Sequence, residues 1–262
     1  MPRVLNAKWT DRLLESPRRI AAALAFYTCL PIPGIATLDF QYVARSASLT
    51  GLIIGVMLSG LDTVLQTLHT PRFLENVLIS LTWVGITGGL HLDGAMDTAD
   101  GLSVQDPDRR LQVMADSVTG AFGAMAAIAI LLIKVAALTD LTQGRIWALI
   151  LVPAWARWGQ QMAIASYPYL KAEGKGAFHK QALPSIHHAW PWALLLAGLG
   201  LVMPVTSSMM SVLGSFTCGA IALGWGAWFH QKLGGHTGDT YGAVVEWTEA
   251  LSLGAIAILA AQ

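Results

Sequence analysis

Three carboxylates and a histidine crowd the segment His91-Leu92-Asp93-Gly94-Ala95-Met96-Asp97-Thr98-Ala99-Asp100-Gly101. At about 100° per residue, a helix sets Asp97 about 40° from Asp93, and Asp100 about 20° the other way. All three acids would then share one face, directly after an apolar run. Like charges so close repel, and water-poor surroundings disfavour ionisation further. A bound cation relieves both costs, and oxygen donors suit Mg²⁺, with Mn²⁺ as a substitute. The competing reading is a solvated acidic helix end. Such an end normally carries compensating lysines, and residues 88–108 contain none.

Three further segments carry chemistry-bearing residues. Asp106-Pro107-Asp108-Arg109-Arg110 reads as a capped helix start. Its arginines suit either phosphate or anchoring at a membrane surface. Asp116 follows before the next apolar run and could close a metal site from a second helix. Arg157 sits inside an apolar stretch, where a cation is expensive unless paired or facing a polar cavity. The loop after it holds Lys171 and the glycine-bracketed Lys175, the latter of which could reach a nucleotide phosphate. Finally, Gly234-Gly235-His236-Thr237-Gly238-Asp239 leads into a helix bearing Glu246, which lies seven residues beyond Asp239 and on the same face. Backbone N–H groups around Thr237 and Gly238 could form a nest for phosphate. Gly94 and Gly101 would let a phosphate or a neighbouring helix come close.

These residues must be positioned by membrane helices. Hydrophobic types make up 54% of 262 residues and charged types 12%, against about 25% charged in a soluble domain. Mean hydropathy is +0.54. The chain is read as all-α, a single polytopic membrane domain over residues 1–262, and the zero net charge argues against nucleic acid as a partner. Apolar stretches near 46–68, 74–92, 119–139, 145–168, 190–207, 212–230 and 241–261 predict about seven spans. The stretch near 20–30 is short and ends at Pro31-Ile32-Pro33, so it reads as an interfacial or half-inserted helix. With that assignment, twelve lysines and arginines fall on one side and two, Arg72 and Arg145, on the other. The positive-inside rule then puts the N-terminus and the acidic segment on the cytoplasmic side of the inner membrane. Cys29 and Cys218 form no metal-ligand spacing and read as inert thiols.

Carboxylates for a divalent cation, basic residues for phosphate and glycines for close approach together suit phosphoryl transfer from a nucleotide-activated donor to an alcohol. Residue chemistry alone goes no further. A membrane prenyltransferase also uses aspartates and Mg²⁺, and a cation transporter also places acids in spans.

The run Gly88-Gly89-Leu90-His91-Leu92-Asp93-Gly94 with Asp97-Thr98-Ala99-Asp100-Gly101 resembles the signature of the cobalamin synthase (adenosylcobinamide-GDP ribazoletransferase) family. Agreement continues through Leu30-Pro31-Ile32-Pro33, Asp116-Ser117, Gly174-Lys175-Gly176 and Gly234-Gly235-His236-Thr237-Gly238-Asp239, and on to Glu246 and Glu249. The chain departs at Cys29, where the family often has a basic residue, and in the loop 103–106, which lacks an arginine often found there. The resemblance implies a Mg²⁺-dependent membrane enzyme joining adenosylcobinamide-GDP to α-ribazole or its 5′-phosphate, with release of GMP. The Asp97-x-x-Asp100-Gly core is also similar to that of CDP-alcohol phosphotransferases. On this resemblance Asp93, Asp97 and Asp100 are expected to hold one or two Mg²⁺ ions. Asp116 or Asp239 would complete the shell, the other of the two serving as base, with Glu246 as a further ligand. His91, Gly94, Gly101, Arg109, Arg110, Arg157, Lys175, Thr237 and Gly238 are the expected substrate contacts. The lipid bilayer is a partner, and a homo-oligomer is compatible with the sequence.

Overall fold

The computed structural model describes residues 17–34, 38–171, 177–203 and 208–261. Eleven α-helices follow one another among these residues. They are α1 (Pro17–Tyr27), α2 (Ala47–Thr67), α3 (Arg72–Ile86), α4 (Leu90–Ser103), α5 (Pro107–Val113), α6 (Ala121–Asp140), α7 (Arg145–Ser166), α8 (Ala177–Ala182), α9 (Trp190–Val202), α10 (Ser208–Leu233) and α11 (Gly238–Ala260). The all-helical reading holds.

The span count differs from the expected seven. Among the described residues four helices are long and apolar enough to cross a bilayer: α2 with its leading 3₁₀ turn, α6, α10 and α11. A fifth crossing arises only if α3 and α4 are taken together, and they meet at 89°. Gly88 and Gly89 make that bend, with φ of 61° and 72°, a region costly for residues bearing a Cβ. Of the stretch near 190–207, the described part forms the 13-residue α9, and residues 204–207 lie outside the described residues. The stretch 145–168 does become a helix, α7, but Arg145, Arg157, Gln160 and Gln161 dilute its apolar character. Such residues are tolerable because α7 is almost wholly buried, enclosed by α2, α10 and α11.

Small residues allow that enclosure. A Cβ at Gly51 would stand 2.5 Å from the Pro153 carbonyl oxygen, and one at Gly55 equally close to that of Ile150. Close backbone approach is a standard route to helix association in lipid, where no hydrophobic drive separates helix from solvent. Ile54, Leu58, Trp83, Leu151, Trp158 and Leu253 fill the core around α7. Val56, Leu132, Leu194, Phe216 and Ile258 remain exposed, as lipid-facing side chains of a membrane bundle should.

The bundle has two chemically different ends. At one, Arg145 Nη2 lies 2.7 Å from Asp62 and 3.0 Å from Glu75, and Arg72 lies 3.3 Å from Glu75. This network joins the end of α2 to the starts of α3 and α7. At the other end, α4 lies across the first turns of α6 and α11. A Cβ at Gly94 would come 2.7 Å from the Asp239 carbonyl oxygen, and one at Gly242 2.8 Å from that of His91. The 89° bend thus turns α4 away from the direction of α3 and against the starts of α6 and α11.

Candidate active site

The acidic motif occupies α4, and its three aspartates play different parts. Asp100 is buried and accepts hydrogen bonds from the N–H groups of Gly120 and Gly123, each at 2.8 Å. Those groups are orphan donors at the start of α6, so Asp100 caps that helix from a neighbouring one. A Cβ at Gly120 or Gly123 would run into the Asp100 carboxylate, which accounts for the glycines there. Asp93 is exposed and Asp97 half-buried, and among the described residues neither carboxylate has a hydrogen bond or ion pair. Burial first, then the negative charges of Asp93, Asp239 and Asp100, push the Asp97 carboxyl up to about 6, with Lys171 opposing them.

Asp239 reaches this cluster from the first turn of α11. A capping box fixes that turn: Thr237 Oγ1 accepts from the Thr240 N–H, and the Thr240 hydroxyl accepts from the Thr237 N–H at 2.8 Å. Thr237 is therefore occupied in building the helix start, whereas Gly238 stays exposed beside Asp239. The preceding His236 is buried. It accepts at its backbone carbonyl from the Leu170 N–H and donates its own N–H to Pro168. Its ring lies 3.0 Å from both Thr240 Oγ1 and the Gly226 carbonyl oxygen. Burial pushes that imidazole down to about 4, so it is a neutral strut near neutral pH. The strut holds residues 168–170 against the start of α11, and Lys171 Nζ consequently meets Asp239 Oδ2 at 3.0 Å.

Several expected contacts lie elsewhere. Asp116 is exposed, its carboxylate accepts from the Val118 N–H, and it is absent from the charges acting on Asp97. Glu246 points into the bundle, where Lys134 lies 2.7 Å from it and 2.5 Å from Glu249, while Arg157 pairs with Glu249. These four form a charge-balanced cluster joining α6, α7 and α11, deeper than Asp239. Ligation by Glu246 would break a bond within it. Arg110 donates to the carbonyl oxygens of Val104 and Lys232, each at 3.0 Å, tying α5 to the end of α10. Arg109 is exposed. Gly94 faces the backbone of Asp239, and Gly101 faces Met114 and Arg110, so helix contact uses both positions. Lys175 falls outside the described residues.

Beside the acids a cavity of about 130 Å³ opens between α1, α4, α7, α8 and α11. Asp93 and Asp239 lie at its wetter margin, and His91, Gln160 and Tyr241 are buried within it. Sequence reasoning singled out His91 but not Tyr27, Gln160, His179 or Tyr241. The one available hint was Gln160-Gln161 inside an apolar run, since amides there need a polar neighbour. A second, more open recess of about 400 Å³ follows Gly88, Gly89, Leu92 and Met96, and Asp93 borders both.

Among the described residues no three histidines, cysteines or acids converge as a ready-made metal cage. The unpaired Asp93 and Asp97 nevertheless suit Mg²⁺, which keeps several waters and takes one or two carboxylates beside substrate phosphates.

Fold and site together define a helical membrane protein with an acidic centre at one end of its bundle. The family model described as cobalamin-5-phosphate synthase matches residues 19–257, and the chain belongs to that family. It is 55% identical over 243 residues to the adenosylcobinamide-GDP ribazoletransferase of Trichormus variabilis, covering 92% of this chain and 96% of that one. The enzyme of the same name from a Synechococcus strain is 50% identical over 253 residues, with 95% and 96% covered. The one from Brevibacillus brevis is 35% identical over 241 residues, with 88% and 94% covered. No solved structure matches the chain.

Proposed function

We propose that this protein is an adenosylcobinamide-GDP ribazoletransferase of the cytoplasmic membrane, with its site on the cytoplasmic side. The carrying observation is the division of labour among the acids. Asp100 and Asp239 are committed to bonds, whereas Asp93 and Asp97 have no bonded partner among the described residues, and Asp93 borders two recesses. Such a pair is an electrostatic cost that a divalent cation with a diphosphate offsets.

In the proposed reaction the ribose 3′-hydroxyl of α-ribazole, or of its 5′-phosphate, attacks the phosphorus attached to the cobinamide arm. A new P–O bond forms there, the P–O bond to GMP breaks, and the hydroxyl proton leaves to a base. Asp93 and Asp97 would hold Mg²⁺, which when bound neutralises charge on the diphosphate and the departing phosphate. Asp239 borders the cavity lined by His91 and Tyr241, so it takes the role of base in preference to Asp116. Lys171, 3.0 Å from Asp239 Oδ2, would hold that carboxylate in position to take the hydroxyl proton. His236 and the Thr237 capping box hold that carboxylate on the first turn of α11.

The test is direct. Purified protein with adenosylcobinamide-GDP, α-ribazole and Mg²⁺ should yield a cobalamin and GMP in equal amounts. Product that forms equally well with Mg²⁺ chelated, or no GMP at all, rejects the reading.

A further inference from the structure

We propose that the cavity between α1, α4, α7, α8 and α11 is the acceptor subsite, which takes the uncharged heteroaromatic base and ribose of the nucleoside. This rests on the transferase reading above and says which substrate goes where. Five buried side chains bound or back the cavity with polar atoms that have no partner among the described residues: the hydroxyls of Tyr27 and Tyr241, both ring nitrogens of His91, Gln160 Oε1 and His179 Nδ1. Each of these residues is at most 4% exposed. Buried polar atoms left unpaired are costly, and in native proteins most find a partner. So many around one opening are best satisfied by a ligand that brings donors and acceptors of its own.

The character of the walls selects that ligand. Tyr27 stacks on His91 with ring planes 15° apart and on His179 with planes 13° apart. The stack is a flat aromatic surface suited to a planar base. Burial pushes His179 down to about 4, so the wall is neutral there near neutral pH. Among the described residues no lysine or arginine lines the cavity, and Arg157 behind it pairs through Nη1 with Glu249. A phosphate would find no cation inside. Size sets a limit: a cavity of about 150 Å³ holds one benzene ring, so this one, at about 130 Å³, seats one ring of the base with the remainder in its open mouth, and it excludes a corrin. A base seated on the stack leaves its ribose at the mouth, beside Asp239 and Asp93. The larger recess across Asp93 then remains for the donor.

The test uses whole protein in detergent and titrates α-ribazole by calorimetry without Mg²⁺ or donor. Tyr27→Phe and Tyr241→Phe each remove one oxygen and keep the ring. We expect each to weaken α-ribazole binding roughly tenfold. The acceptor KM should rise in parallel while the KM for adenosylcobinamide-GDP stays fixed. Gln160→Leu provides the same readout from another helix should a tyrosine variant fail to fold. Wild-type turnover with an unmoved acceptor KM in well-folded variants overturns the assignment, as does GMP displacing α-ribazole competitively. Wild-type protein that binds α-ribazole but never releases GMP overturns the reaction alone. Failure of both binding and turnover overturns the two together.

Discussion

Lys171 Nζ stands 3.0 Å from Asp239 Oδ2, joining the loop after α7 to the first turn of α11. The contact neutralises one member of the acidic group and leaves Asp93 and Asp97 to face each other without a cation. Lys171 also lowers the proton affinity of Asp97. Lys171→Met should therefore move the acid limb of Mg²⁺- or Mn²⁺-dependent activity to higher pH. The shift should shrink in high salt, because the pair is partly exposed. A pH–rate profile at two ionic strengths checks it.

Asp97 carries the pH prediction in its sharpest form. Its carboxyl is raised from 3.8 to about 6, first by burial and then by neighbouring acids. A folded-state pKa above the unfolded one means that metal-free protein loses stability as pH rises from about 4 through 6. Metal binding has the opposite dependence. Below about pH 6 a proton must be displaced, so affinity should fall up to tenfold per pH unit. Mn²⁺ binding followed by electron paramagnetic resonance from pH 5 to 8 measures this. Asp97→Asn should abolish metal-dependent GMP release while the metal-free melting temperature at pH 8 stays level or rises.

Asp100 should behave differently. It caps α6 through Gly120 and Gly123, and losing such a cap costs about 1–2 kcal/mol. Asp100→Ala should lower the melting temperature and speed hydrogen exchange at those two amides, whether or not metal is present. Asp100→Asn keeps an accepting oxygen and should recover part of the loss. Equal stability of wild type and Asp100→Ala would remove the capping role.

The cluster of Lys134, Arg157, Glu246 and Glu249 is fully buried and charge-balanced. Removing one partner of such a pair strands a charge at a cost of about 3–5 kcal/mol. Lys134→Met strands two carboxylates against one arginine, so folded protein should fall sharply in a detergent-solubilised thermal assay. Lys134→Met combined with Glu246→Gln restores the balance and should recover most of it. No recovery in the double variant would show that the cluster is not held by charge.

At Gly94 a new Cβ would press on the Asp239 carbonyl oxygen. Gly94→Ala should push α4 off α11 by a few tenths of an ångström. Since Asp93 and Asp239 sit on either side of that contact, kcat should drop by an order of magnitude or more. Binding of α-ribazole, measured separately, should change less than turnover.

Much of this protein was legible in residue order. Its helical membrane character follows from composition, because a chain with so few charges must bury or lipid-expose nearly everything else. The shared face of Asp93, Asp97 and Asp100 follows from helical periodicity, and Asp239 from its glycine-rich lead-in. The number of crossings was less legible. Hydropathy does not register that Gly88 and Gly89 adopt left-handed angles and turn one apolar run through 89°. It also undervalues α7, whose Arg157 pairs with Glu249 on α11 and whose Gln161 donates to the Ala44 carbonyl oxygen, partners that only packing supplies.

What only the tertiary structure decided is how like residues divide their work. Asp100 became a cap and Glu246 an interior counter-ion, while Asp93 and Asp97 were left uncompensated. Each outcome depends on which N–H, ammonium or guanidinium another helix delivers to hydrogen-bond distance. The polar cavity is a consequence of the same kind. Tyr27, Gln160, His179 and Tyr241 lie far apart in the chain and on four helices, so their common orientation comes from packing alone. One-dimensional order specifies charge and period, but partnership between distant groups is a property of helix crossings, where a glycine or an 89° bend sets the distances.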